Sequence, residues 1–132
     1  MIVLDASAAI ALLVEEAEPM EWVADRLVGV ENVGAPHLID VEVLSALRRL
    51  VARRELPLAR AREALEGLWE LGIVRYDLTG LLGRIWELRH QVTAYDAAYI
   101  VLAETLAVPL VTLDRRLGKA GGHRAEIVAY AG

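Results

Sequence analysis

Apolar positions along this chain alternate between two kinds of segment: short aliphatic runs, and longer stretches where apolar residues return at helical spacing. Ile2 to Leu4 predicts a strand that ends at Asp5, and the alanine-rich Ala6 to Val14 predicts the helix after it. The acid-rich stretch Glu15 to Glu21, with Pro19 near a helix start, leads into an amphipathic segment ending near Gly29. Val33 to Ala35, before Pro36, predicts a second strand. Leu38 to Arg54 and Pro57 to Leu71, the latter stopped by Gly72, predict two helices able to pair as a hairpin. Ile73 to Tyr76 predicts a strand, Leu81 to His90 a helix, and Thr93 to Ala107 a helix with a clear start signal. Pro109 to Leu113 is the clearest strand; a turn of helix at Arg115 to Lys119, the pair Gly121-Gly122 and a last strand at Ile127 to Ala129 follow. No repeat, low-complexity tract or linker interrupts the series. It predicts a three-layer α/β/α sandwich around a mostly parallel central sheet, a single domain over residues 1–132.

With 132 residues, 56% of them hydrophobic and 25% charged, the chain closes one sizeable core and leaves no material for a second domain. Its mean hydropathy of +0.39 is high. Even so, Asp5, Ser7, Glu104 and Thr105 break the longest apolar stretches before they reach the roughly 18 residues of a membrane span. No basic leader precedes the first apolar run and an acid lies inside it, so the expectation is a cytoplasmic protein with no membrane partner. The absence of cysteine excludes a disulfide framework, thiolate metal sites, iron-sulfur clusters and cysteine nucleophiles. Any metal must be held by oxygen or by His37, His90 and His123, and these histidines lack the HxxxH-type spacing of a zinc site. A net charge of −5 argues against a protein that coats nucleic acid, while a local basic groove stays open.

The candidate chemistry is acidic. Asp5 and Asp114 stand where a buried apolar strand passes into a helix, which in an open parallel sheet is the carboxyl edge where ligands bind. Asp96 sits at a helix start in Thr93-Ala94-Tyr95-Asp96, and Glu42 lies near the start of the Leu38 to Arg54 helix. Each has a plain structural reading: Asp5 and Asp114 as N-caps, Thr93 and Asp96 as a capping box, Glu42 as a solvated helix charge. Glu42, however, has no basic partner at Ser45 or Ala46. On a helical wheel Val43, Leu44, Leu47, Leu50 and Val51 share the core side, with Glu42, Arg49 and Arg53 roughly opposite. Several carboxylates within about 4–6 Å raise one another's pKa, so keeping them ionised takes a compensating cation. Oxygen ligands alone select Mg²⁺ or Mn²⁺ over zinc, and such an ion suits phosphoryl chemistry by acidifying an attacking water.

Four motifs follow one another across nearly the whole chain: Ile2-Val3-Leu4-Asp5-Ala6-Ser7-Ala8, Ala35-Pro36 through Glu42, Thr93-Ala94-Tyr95-Asp96-Ala97-Ala98-Tyr99, and Leu110-Val111-Thr112-Leu113-Asp114-Arg115. Together they resemble the PIN-domain ribonucleases, and within them the VapC-type toxins of toxin-antitoxin pairs. The resemblance implies a PIN-like fold in which Asp5, Glu42, Asp96 and Asp114 bind Mg²⁺ or Mn²⁺, the first three being more central. It implies that a metal-bound water attacks an RNA phosphodiester in line, leaving a 5′-phosphate and a 3′-hydroxyl. It also implies a homodimer, and a small VapB-type antitoxin that blocks the site. Ser7 and Thr112 look, by position, like polar groups beside Asp5 and Asp114 that orient a carboxylate or a water.

Around this core of expectations stand weaker ones. Arg49 and Arg115 are candidate substrate contacts, with Arg116 beside the latter. Tyr95 and Tyr99 flank Asp96 at helical spacing and are expected to pack that helix against a neighbour, stacking on a base being the other reading. Trp22, Trp69 and Trp86 fall within apolar helical faces and are expected in the core or at a dimer contact. Ser7 lacks the glycine elbow of a serine hydrolase. Two other functions compete: a non-catalytic interaction module whose acids are caps, and a phospho-receiver domain, which lacks its adjacent acid pair after the first strand.

Overall fold

The computed structural model describes all residues from Met1 to Gly132. Five strands, β1 (Ile2–Leu4), β2 (Val33–Pro36), β3 (Val74–Tyr76), β4 (Leu110–Thr112) and β5 (Ile127–Ala129), form one sheet in the order β3-β2-β1-β4-β5. Every neighbouring pair is parallel; Val3, for example, stands opposite Gly34 on one side and Leu110 on the other. The central strands are buried on both faces, so β1 and β4 read as unbroken aliphatic runs without alternation.

The helices are α1 (Ala6–Leu13), α2 (Ala17–Leu27), α3 (Leu38–Ala52), α4 (Leu58–Glu70), α5 (Leu82–Glu87), α6 (Ala94–Leu106) and α7 (Arg115–Gly118), with a 3-10 turn at Thr79–Leu81 before α5. The helices divide between the two faces of the sheet, α1 to α4 on one and α5 with α6 on the other, while α7 packs beside β5. On the first face α1 packs against α2, α3 and α4; on the second, α6 crosses β1, β2 and β4 with α5 outside it. That position explains the composition of α6, whose residues Ala97 to Ala103 are all buried: a helix covered on every side carries apolar residues on every side.

The structure departs from the sequence pattern at three places. The expected Leu81 to His90 helix is a 3-10 turn plus the six-residue α5, because after Glu87 the hydrogen bonds shorten to Leu88 N–H on Ile85 C=O and Arg89 N–H on Trp86 C=O. The apolar stripe of α3 is narrower than the wheel suggests: Ile39, Val43 and Leu47 are buried, while Leu44 is about half exposed. Trp69 and Trp86 are not core residues but two-thirds exposed, at 68% and 67%. Each lies beneath a guanidinium, Arg75 at 5.4 Å and Arg89 at 4.8 Å, which covers an exposed indole face. Only Trp22 packs against the core, edge-on to Tyr130 at 5.3 Å.

Candidate active site

β1 and β4 are adjacent, and their onward connections leave in opposite directions, β1 towards β2 and β4 towards β5. The crevice at their carboxyl ends is therefore the topological switch point of the sheet, where parallel α/β folds bind ligands. Asp5 follows β1 directly and Asp114 comes two residues after β4.

Asp5 is an N-cap, as the plain reading has it: its Oδ1 accepts from the Ala8 N–H at 3.0 Å. A cap does not account for its burial or for two further bonds. The Ser7 hydroxyl donates to Oδ1 at 2.6 Å and the Thr112 hydroxyl donates to Oδ2. Both hydroxyls also accept, Ser7 Oγ from the Leu113 N–H and Thr112 Oγ1 from the Asp114 N–H, each at 3.0 Å. The two strand ends are thus stitched together around one carboxylate. Sequence position placed Ser7 and Thr112 near Asp5 and Asp114; the structure turns both hydroxyls onto Asp5. Burial pushes the Asp5 carboxyl up to about 6 against the pull of these bonds, and the Asp96 charge adds to the push.

Asp96 lies in the first turn of α6, where Thr93 Oγ1 accepts from its backbone N–H at 3.2 Å. The capping box is half made: no return bond joins the Thr93 N–H to the Asp96 carboxylate. Burial raises this carboxyl, and the Asp114 charge raises it further, against the pull of the Thr93 side chain and the Arg116 charge. Glu42 is half-buried and raised by its burial; a bond from the Tyr99 hydroxyl to its Oε1, at 2.6 Å, and the charge of Arg49 oppose the rise. Asp114 behaves differently. The Arg116 guanidinium bonds both its oxygens, at 2.8 and 3.1 Å, and holds its carboxyl below the ordinary value.

Asp96 is the hub of this group, since Asp5 and Glu42 each feel its charge and it feels that of Asp114. The four expected acids are thus linked electrostatically through Asp96, but no three acidic or histidine side chains stand close enough to enclose an ion as they are. Of the candidate substrate contacts, Arg49 bonds Ser45 on its own helix, and Arg115 makes no side-chain bond; Arg116 is the arginine on Asp114. The sequence reading missed Tyr99 as a partner for Glu42. Its signal was the three-residue step from Asp96 to Tyr99, which puts both on one helix face.

The family model for the PIN domain matches residues 2–122. The chain is 46% identical over 121 residues to VapC ribonuclease Mb0985 of Mycobacterium bovis, covering 92% of this chain and 91% of that protein. Ribonuclease VapC12 of Mycobacterium tuberculosis is 42% identical over 131 residues, covering 99% and 100%. Among solved structures, VapBC2 of Rickettsia felis bound to a promoter DNA fragment matches with a TM-score of 0.69 at 10% identity, covering 98% of this chain and 99% of that one. PAE2754 of Pyrobaculum aerophilum matches with a TM-score of 0.67 at 27% identity, covering 96% and 81%. A parallel sheet with acids at its switch point, a family match over almost the whole length and relatives named as VapC ribonucleases agree: the chain belongs to the PIN domain family.

Proposed function

We propose that this protein is a Mg²⁺- or Mn²⁺-dependent endoribonuclease, a VapC-type toxin that works as a homodimer and is held inactive by a VapB-type antitoxin. The observation that carries the reading is the setting of Asp5, a buried carboxylate whose two oxygens are both fixed by hydroxyls and whose charge is opposed by Asp96. A chain that needed only a helix cap has no reason to keep a second and third acid beside it. Identity to proteins named as ribonucleases over nine-tenths of the length supports the reaction class.

The donor set fits a hard divalent cation: every ligand is oxygen, and burial, with the charges of Asp96 and Asp114 added to it, raises Asp5 and Asp96. Their spread favours an ion that keeps part of its own water shell, as Mg²⁺ does, over one enclosed by carboxylates alone. Asp5, Glu42 and Asp96 would hold it, with Asp114 alongside. When bound, the ion supplies the charge that acidifies a water for attack on phosphorus and offsets the negative charge that develops on the phosphate.

The chain's own residues fix the geometry. Ser7 and Thr112 clamp Asp5, so its oxygens keep one orientation. Tyr99 holds Glu42 by one oxygen and leaves the other free. Arg116, with its side chain 87% exposed, makes an ion pair with Asp114 that an incoming phosphate exchanges at little cost. The protein partner is supported by an uncovered apolar groove of about 420 Å³ between α3 and α4, walled by Leu44, Val51, Leu58 and Leu65.

The test is cleavage of pooled cellular RNA with Mg²⁺, wild type beside Asp96→Asn. Fragments with 5′-phosphate and 3′-hydroxyl ends, made only by the wild type and stopped by EDTA, are expected. Equal cleavage by both proteins in EDTA would contradict the reading.

A further inference from the structure

The switch-point acids repel a polyanion from most directions, so a strand of RNA needs a positively lined approach. One groove supplies it. A depression of about 540 Å³ runs from Asp96 and Asp114 between the turn after α5 and the helix α7, with Arg89, His90 and Gln91 on one wall and Arg116 and Lys119 on the other. Asp96 and Asp114 are its only acids, and both belong to the site already described. In a chain of net charge −5, three basic side chains, Arg89, Arg116 and Lys119, line this one depression.

Arg89, Val92 and Thr93 also line a second depression, of about 400 Å³, so the two adjoin at these residues. Its lining differs in chemistry: Leu82, Ile85, Trp86 and Ala94 give it an apolar surface. Trp86 is 67% exposed, and the Arg89 guanidinium lies 4.8 Å from its ring centroid, at the junction of the two depressions. Cations against the backbone and an exposed indole alongside are what an unpaired nucleotide needs, since every base has a π-face and every linkage a charge.

We propose that this pair of depressions binds the single-stranded RNA flanking the scissile bond, with phosphates against Arg89 and Lys119 and one base on the face of Trp86 that Arg89 does not cover. The inference rests on the ribonuclease reading and adds to it the path of the substrate. To the candidate contacts Arg49 and Arg115 it adds residues that line two adjoining depressions beside the acids. The indole serves as a stacking platform, so the track discriminates by stacking strength, purine over pyrimidine, more than by base-edge hydrogen bonds.

Binding of a labelled oligoadenylate about a dozen nucleotides long, measured against salt in an Asp5→Asn background that blocks cleavage, tests the track. Removing Arg89 and Lys119 together, as Arg89→Gln with Lys119→Gln, should lower the slope of log affinity on log salt by about 1.4, two single-strand phosphate contacts. Trp86→Ala should weaken binding about tenfold or more with the slope unchanged. All three substituted positions are exposed, and unchanged melting temperatures establish that the variants are folded. If the Asp5→Asn protein binds but the double substitution leaves its slope intact, the groove does not carry the strand. If Trp86→Ala changes the oligomeric state and not RNA affinity, that face belongs to a second copy of the chain. If the Asp5→Asn protein binds no oligoadenylate while the wild type cleaves RNA, the track is wrong and the ribonuclease reading stands; if the wild type also leaves RNA uncut, that reading fails with it.

Discussion

Burial lifts the Asp5 carboxyl from an ordinary 3.8 to about 6, so across that interval the folded chain keeps a proton that the unfolded chain has already lost. Stability contributed by the protonated form is present at low pH and is lost as pH rises through about 6. Without metal, Asp5→Asn should therefore stabilise the fold at pH 7 by up to about 3 kcal/mol, since each tenfold change in proton affinity is worth about 1.4 kcal/mol, and flatten its pH dependence between pH 4 and 6. Thermal melting across that range checks this; a destabilised Asp5→Asn protein would mean that the carboxylate is a structural cap first. Tyr99 offers a second test. Its phenol is pushed up by burial and by Glu42, so it stays a donor, and Tyr99→Phe keeps the packing while removing the bond. The loss should be about 1.5–3 kcal/mol, the usual worth of a hydrogen bond to a charged group, and Mn²⁺ should stabilise the variant less than the wild type. Exposed Tyr95→Phe, on the same helix, should change neither.

Between helices, Arg84 on α5 is tied to Glu104 on α6 on the second face of the sheet, a forked pair with both bonds at 3.0 Å. Arg84 also bonds Glu87 and the Gly122 carbonyl, and the Arg124 N–H bonds Glu104, so one ion pair ties α5, α6 and the loop before β5. The Arg84 fork pulls the Glu104 carboxyl from 4.5 down to about 2. Its stabilisation is complete above the ordinary glutamate range and is lost as pH falls from about 4.5 towards 2. Arg84→Ala should cost about 2 kcal/mol at pH 7 and less at pH 2, read by urea denaturation at both pH values. An equal loss at both would show that Arg84 acts by packing alone. This tie was not legible in the sequence, because Arg84 and Glu104 lie 20 residues apart on different helices and no periodicity links them. Strands and long helices were legible because each carries its own local pattern; β5 matches its expected bounds, and α6 begins one residue after its Thr93 cap.

Across the whole molecule, what the sequence could not show is where exposed and buried halves of an amphipathic face divide. Trp69 and Trp86 read as core or dimer-contact residues because an indole is apolar; within the single chain they are exposed, each with a cation over the ring, from Arg75 and Arg89. Asp5 and Asp114 were found by their place at strand ends, and parallel pairing of β1 with β4 brings them to one crevice. The burial of Asp5, the turning of Ser7 and Thr112 onto it and the bond from Tyr99 to Glu42 depend on contacts between distant segments, beyond any motif's reach.

Whether that crevice is a cation site is decided most directly by melting the protein against Mn²⁺, with Asp5→Asn and Asp96→Asn beside the wild type. At a hundredfold excess over its dissociation constant, an ion bound only by the folded form stabilises it by about 2.7 kcal/mol. The wild type should gain that stability, and the two variants, one of them starting from a higher melting temperature, should gain little. If all three melt alike with and without Mn²⁺, the four acids are caps and solvated charges, and the metal-dependent mechanism is wrong.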